Sequence, residues 1–238
     1  MECYICKKRI SGRYYIDAFN RNACEEHLTR DTVQCSSCGG FTKRDNPLAD
    51  GRWLCRVCVE MALKPGAPVE RYVSHVLDVL KRTGFDGLSL SNMTVEIVPA
   101  QKLAEFYGST VVNVQNKGAC RTMTTMSLLG GRQCTHSIYM LTHLNHVEFS
   151  GALAHEMLHA WLCQNDVVMS PKRTEGFCNL GADLMWNRIS SSLTKIYLKN
   201  LHESPDPIYG DGFREMHALC DELGWKALIA KVKNKEFS

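Results

Sequence analysis

Leu153-Ala154-His155-Glu156-Met157-Leu158-His159-Ala160-Trp161 is the stretch on which the reading of this chain turns. It lies within Phe149 to Cys163, a run without proline whose one glycine, Gly151, is near the start, so the run reads as a helix. His155 and His159 are four residues apart and therefore share one helical face, one turn above each other. Two imidazoles so placed can hold one Zn²⁺, and Glu156 between them can reach a water on the metal. Leu153, Ala154, Leu158, Ala160, Trp161 and Leu162 make the helix apolar on nearly every side. Charged groups on a buried helix need partners, and a metal is the simplest one. With 9 histidines in 238 residues, a shuffled chain would carry His-Glu-x-x-His only about 0.02 times.

A catalytic zinc takes three protein ligands and keeps an open position. Downstream of the motif the candidates are Glu175, Asp183, His202 and His217. Pro171 is predicted to start a second helix running toward Asn200, with Glu175 in its first turns. Glu175 follows His159 by sixteen residues, room for a loop and a return to the metal, and Gly176 permits close approach of the two helices. Ligand geometry favours Glu175, the arrangement of the gluzincin peptidases, over His202. Asn179, one turn beyond Glu175, is either a hydrogen-bond partner of a ligand histidine or an ordinary surface polar residue. With zinc activating a water, Glu156 takes the general-base role. Tyr209, in the turn Asp206-Pro207-Ile208-Tyr209-Gly210-Asp211-Gly212-Phe213-Arg214, is chosen over Arg214 and His217 as the oxyanion donor.

Twelve cysteines are distributed unevenly: seven lie in the first 58 residues. They form the pairs Cys3-x2-Cys6, Cys24-x2-His27, Cys35-x2-Cys38 and Cys55-x2-Cys58, eight ligands for two closed tetrahedral sites. Pairing in sequence order gives one structural zinc on Cys3, Cys6, Cys24 and His27 and another on Cys35, Cys38, Cys55 and Cys58, as in LIM domains. A cross-braced pairing, as in a ubiquitin-ligase module, satisfies the spacing too. The seven residues between the halves predict loose packing of one on the other. A disulfide framework would need a secretory leader, and the first residues have no apolar h-region, which predicts a cytoplasmic protein. Cys120, Cys134, Cys163, Cys178 and Cys220 have no paired spacing and read as buried thiols.

Lys64-Pro65-Gly66-Ala67-Pro68 marks a linker or sharp turn. The expected organisation is a small zinc module at 1–62, a linker at 63–69 and an α+β domain at 70–238. In the second region, apolar spacing predicts a helix over Val69–Arg82, strands over Met93–Val98, Ser109–Val114 and Ser137–Leu141, a short helix near Gln101–Tyr107, and a turn at Gly130-Gly131. The Ser109–Val114 or Ser137–Leu141 strand is expected to form the rim along which a peptide adds. No apolar run is long enough for a transmembrane helix. The net charge of +3 does not argue for nucleic acid. In residues 1–62, seven thiolates and two Zn²⁺ bring the balance to about −1, unlike a DNA-binding finger.

Taken together, Leu153 to Trp161, Glu175-Gly176-Phe177-Cys178 and Tyr209-Gly210-Asp211-Gly212-Phe213-Arg214 resemble the plant LIM-domain, ubiquitin-activated metallopeptidases that limit organ growth. Cys24-x2-His27 and the seven-residue gap before Cys35 resemble that family's divergent LIM-like module. The resemblance spans Cys3 to about Trp225. It implies a small β-rich zinc module followed by a gluzincin-type domain that cleaves protein substrates, with His155 and His159 as ligands and Glu156 as base. Three Zn²⁺ per chain are expected, one catalytic and two structural, with ubiquitin or another protein as partner of the zinc module. The plant proteins carry ubiquitin-interacting helices and a further LIM domain before the region matched here. A non-catalytic zinc-binding adaptor is the alternative, and the intact Glu156 disfavours it.

Overall fold

The computed structural model describes residues 1–126 and 131–237. The first sixty residues form short elements. Strand β1 (Tyr14–Ile16) pairs antiparallel with β2 (Asn22–Cys24), which leads into helix α1 (Glu25–Arg30). Strand β3 (Thr32–Gln34) pairs with β4 (Phe41–Lys43), and helix α2 (Arg56–Glu60) precedes β5 (Ala62–Leu63). Elements this short bury little beyond their cysteines: Cys3, Cys35, Cys38, Cys58 and Ala23 are the buried apolar residues of this region. So small a core cannot offset the entropy of ordering the chain, and cross-links must contribute.

The two halves of this region are not loosely joined, contrary to the expectation from the seven-residue spacer. Asp17, buried between them, accepts hydrogen bonds from Phe19 N at 2.9 Å, Arg21 N at 3.0 Å and, across the boundary, Phe41 N at 3.0 Å. Arg21 adds a charged donor to the same carboxylate. These donors outweigh the cost of burial and hold the Asp17 carboxyl below its ordinary pKa. The spacer is taken up by α1 and β3, so the halves meet side by side.

The second region opens with α3 (Glu70–Thr83), closed by Gly84 at φ 117°. Strand β6 (Met93–Val98) and helix α4 (Ala100–Phe106) follow, then β7 (Gly118–Met126) and β8 (Arg132–Leu141). The sheet order is β6-β8-β7, with β6 parallel and β7 antiparallel to the central β8. A short strand β9 (Leu144–Asn145) enters α5 (His146–Gln164), followed by α6 (Pro171–Trp186), α7 (Ser192–His202), α8 (Tyr209–Leu223) and α9 (Trp225–Lys233). The core joins α3, the inner face of the sheet, α5, α6, α8 and α9, with Phe85, Trp161 and Phe177 packed edge to face or tilted at its centre. The class is α+β, as expected. Among the described residues, no helix is long and apolar enough to cross a membrane.

Three local expectations need correction. Ser109–Val114 is not a strand, because Ser109 Oγ accepts from Val111 N and Asn113 Oδ1 from Gln115 N, which folds the backbone into turns. Ser137–Leu141 belongs to β8, whose two edges are already paired, so the free edges of the sheet are those of β6 and β7. The helix begun by Pro171 ends at Trp186, and Ser191 caps a separate helix, accepting from Thr194 N at 3.1 Å. Gly130 of the Gly130-Gly131 turn lies outside the described residues.

The N-terminal cysteine-rich region is joined to the rest through side chains and backbone. β5 pairs with β9, and the buried Arg52 donates to Thr142 O at 2.7 Å while paired with Asp50. Asn145 Nδ2 donates to Ser37 Oγ at 2.8 Å, and Ser37 donates to Glu148 Oε2 at 2.7 Å. Asn145 also caps α5 with its Oδ1, which starts that helix three residues before the expected Phe149.

Candidate metal centres and active site

On α5 the four-residue spacing does what periodicity dictates: His155 Nε2 and His159 Nε2 stand 3.1 Å apart. Glu175 Oε2, from the second turn of α6, lies 3.2 Å and 3.4 Å from these nitrogens. The three separations match the roughly 3.3 Å edge of a tetrahedron with metal–ligand bonds of about 2.05 Å. Glu175 Oε2 is buried and has no hydrogen-bond partner, although two imidazoles are within reach. A buried acceptor within 3.4 Å of two ring nitrogens is placed for an ion.

The field at this point asks for a cation. Burial opposes charge on His159, yet Cys178, Glu175 and Glu156 outweigh it and push the imidazole up to about 12. Burial likewise opposes charge on Glu175, and its two histidines hold it down to about 2. Glu156 is buried, and that desolvation raises its pKa above the ordinary carboxylate value despite the neighbouring imidazoles. His155 Nδ1 donates to Asn179 Oδ1 at 2.9 Å, which fixes the tautomer with Nε2 free to ligate. Asn179 Nδ2 in turn donates to Tyr209 O at 3.1 Å. One amide thus ties the α5 histidine to the first residue of α8.

The packing that permits this is glycine on glycine. A Cβ at Gly176 would fall 2.1 Å from Gly212 O, and one at Gly212 would fall 2.2 Å from Lys172 O. Gly176 therefore serves the crossing of α6 with α8, and not the α5–α6 contact expected for it. Gly118, at the start of β7, does the same for the base: a Cβ there would be 2.8 Å from Glu156 Cγ. The β7 edge of the sheet is thereby brought against Glu156.

Tyr209 is half-exposed at the mouth of the site, and burial together with Glu175 and Glu156 pushes its phenol up to about 12. Sequence reasoning missed Tyr107, which donates to Gly118 O at 2.7 Å and whose phenol is raised by burial and by Glu156, Tyr209 and Glu175. No signal in the sequence joins a tyrosine after α4 to a glycine eleven residues on. The other suggested third ligands do not reach His155 and His159. Asp183, His202 and His217 are brought to one another instead.

The paired cysteines meet in sequence order. Cys3, Cys6, Cys24 and His27 offer atoms within 4.8 Å of one another, and so do Cys35, Cys38, Cys55 and Cys58. This arrangement removes the cross-braced alternative. His27 Nε2 is buried without a hydrogen-bond partner, the mark of an atom placed for a metal. Cys38 Sγ and Cys55 Sγ are 3.8 Å apart, close to the roughly 3.75 Å edge of a tetrahedron with bonds of about 2.3 Å. In the second cluster, Cys38 and Cys58 hydrogen-bond Cys35 and hold it down as a thiolate, while Cys35 pushes Cys38 up to about 12 and raises Cys58 too. Only a cation lets all four ionise together. The remaining five cysteines are unpaired thiols, of which Cys178 touches His159.

The chain is similar to two curated proteins of Arabidopsis thaliana. Protein DA1-related 7 is 24% identical over 304 aligned positions, covering 98% of this chain and 52% of the relative. Protein DA1-related 6 is 27% identical over 200 positions, covering 68% of this chain and 30% of the relative. The chain therefore spans about half the length of the first relative and less of the second. No family model and no solved structure matches it.

Proposed function

We propose that this chain, a homologue of the DA1-related proteins, is a zinc-dependent endopeptidase with two structural zinc sites in its N-terminal region. The observation that carries this reading is the buried, unbonded Oε2 of Glu175 converging with the Nε2 atoms of His155 and His159 beside an enclosed Glu156. His155, His159 and Glu175 would hold the catalytic ion, while Cys3, Cys6, Cys24 and His27, and then Cys35, Cys38, Cys55 and Cys58, would hold the structural ones. Zn²⁺, when bound, supplies Lewis acidity toward the scissile carbonyl and the attacking water.

Glu156 takes a proton from that water and passes it to the departing amine. Buried beside both histidines, Glu156 is placed for both transfers. Asn179 keeps His155 in the ligating tautomer. Tyr107 spends its hydroxyl bracing Gly118, which leaves Tyr209, protonated at neutral pH, to donate to the developing oxyanion. The free edge of β7 offers backbone groups to an extended peptide running past Glu156. The two structural zinc sites form a protein-contact module, for which ubiquitin is one partner to test.

Glu156→Gln is the direct test. It should keep its metal by elemental analysis and lose at least about a hundredfold in cleavage of a peptide library followed by mass spectrometry. Undiminished cleavage by that variant would rule out the mechanism, and absence of cleavage by the wild type would favour the adaptor reading.

A further inference from the structure

Glu175, Asn179 and Asp183 lie four residues apart along α6. The first two serve the centre on α5; the third, about 12 Å along the helix axis from Glu175, meets different partners. Asp183 is buried at 8% exposure. Its Oδ1 is 3.2 Å from His202 Nε2 at the end of α7, and its Oδ2 is 3.9 Å from His217 Nε2 on α8. All three residues offer ligand atoms within 4.8 Å of one another. Among the described residues, no lysine or arginine ion-pairs with this carboxylate.

The imidazoles are held as ligands are. The His217 ring is steered from behind: its Nδ1 faces Asp221 Oδ2 at 3.1 Å, which leaves Nε2 toward Asp183. A carboxylate behind the distal nitrogen of a histidine is the usual support of a metal-bound imidazole. Both rings rest on buried Phe213, His202 at 4.9 Å and 90°, His217 at 5.2 Å and 59°. Arg214 ties the two helices by donating to His202 O at 3.0 Å and Ser204 O at 2.8 Å. A buried carboxylate needs a countercharge, and an imidazole provides one only when protonated, whereas a divalent ion provides it at any pH where the imidazoles are neutral.

We propose that Asp183, His202 and His217 form a further zinc site, separate from the peptidase centre, which clamps α7 and α8 onto α6. Two imidazoles and one carboxylate suit Zn²⁺ among common divalent ions and leave a position open to solvent on the His202 side. The site is looser than the α5 centre, so its ion exchanges more readily. The inference is independent of peptide cleavage and holds in an inactive protein.

The test uses the full chain and Zn²⁺ itself, titrated against a chromophoric chelator after removal of loosely held metal. The wild type should take up one equivalent beyond the tightly held ones. His202→Ala/His217→Ala should lose that equivalent alone, and Asp221→Asn should weaken it about tenfold. A measurement on the unaltered protein guards against misfolding of the variants: adding that equivalent should shift the side-chain resonances of His202 and His217 and raise Tm. Uptake unchanged in the double variant, or resonances of both histidines unmoved by Zn²⁺ in the wild type, would overturn the proposal.

Discussion

Gly176→Ala probes the contact on which the α5 centre depends. The added methyl would stand 2.1 Å from Gly212 O, a backbone atom that no rotamer change can move aside. To restore an ordinary contact of 3.4 Å, α6 and α8 must part by about 1.3 Å at this point. Glu175 is the adjacent residue, and its Oε2 is placed 3.2 Å and 3.4 Å from the two imidazoles. Metal sites tolerate ligand errors of only about 0.2 Å, so a shift several times larger must either break the site or be absorbed elsewhere at a cost. Overpacking of this kind costs about 1–3 kcal/mol. For a chain of this length that lowers Tm by roughly 2–12 °C. The variant should also bind Zn²⁺ at the α5 centre at least about tenfold more weakly in chelator competition, while the cysteine sites keep theirs. A variant with wild-type Tm and wild-type affinity would show that the glycine seam does not position Glu175, and the structural reasoning would fail.

Other perturbations separate the remaining parts. Asn179→Ala removes the acceptor from His155 Nδ1 and the donor to Tyr209 O, and should weaken zinc at the α5 centre by about 10–100-fold, read by the same competition titration. Arg52→Met leaves Asp50 buried without its partner and Thr142 O without its donor. It should cost about 3–5 kcal/mol and expose the 64–68 segment to limited proteolysis; unchanged proteolysis would mean that this pair does not dock the N-terminal cysteine-rich region. Glu215 is held below its ordinary pKa by Arg173 and Lys172 of α6. Its folded value is the depressed one, so its stabilisation is complete above the unfolded value of about 4.3 and fades as pH falls below it. The Tm gap between wild type and Glu215→Gln should be a degree or two at neutral pH, the scale of a surface pair, and should close with acidification. A gap that widens in acid would reverse the sign and refute the assignment.

Local spacing made much of the site readable. His155, Glu156 and His159 belong to one helix, so 3.6-residue periodicity alone puts the two imidazoles together. Glu175 and Asn179 follow the same rule on the next helix, and each Cys-x2-Cys or Cys-x2-His pair is a single turn of chain. What misled was polarity in place of pattern. β7, Gly118-Ala-Cys-Arg-Thr-Met-Thr-Thr-Met126, has too few apolar residues to announce a strand, because its outer half faces solvent and its identity comes from pairing with β8. Ser109–Val114 has the composition of a strand, yet its serine and asparagine side chains capture the backbone first.

The sequence by itself therefore determined which residues are chemically equipped and how each element groups its own: the α5 motif, the carboxylate and amide of α6, and four ligand pairs in the first sixty residues. Tertiary structure decided everything that joins different elements. It sent Glu175 to His155 and His159 but Asp183 to His202 and His217, because a stripe of residues four apart drifts about 40° per step around a helix and so faces a new neighbour within two turns. It set Gly118 against Glu156, and Tyr107 against Gly118. It also drew the halves of the cysteine-rich region together on Asp17. Such contacts follow from which surfaces can be buried together, a property of the packed chain that no window of sequence contains.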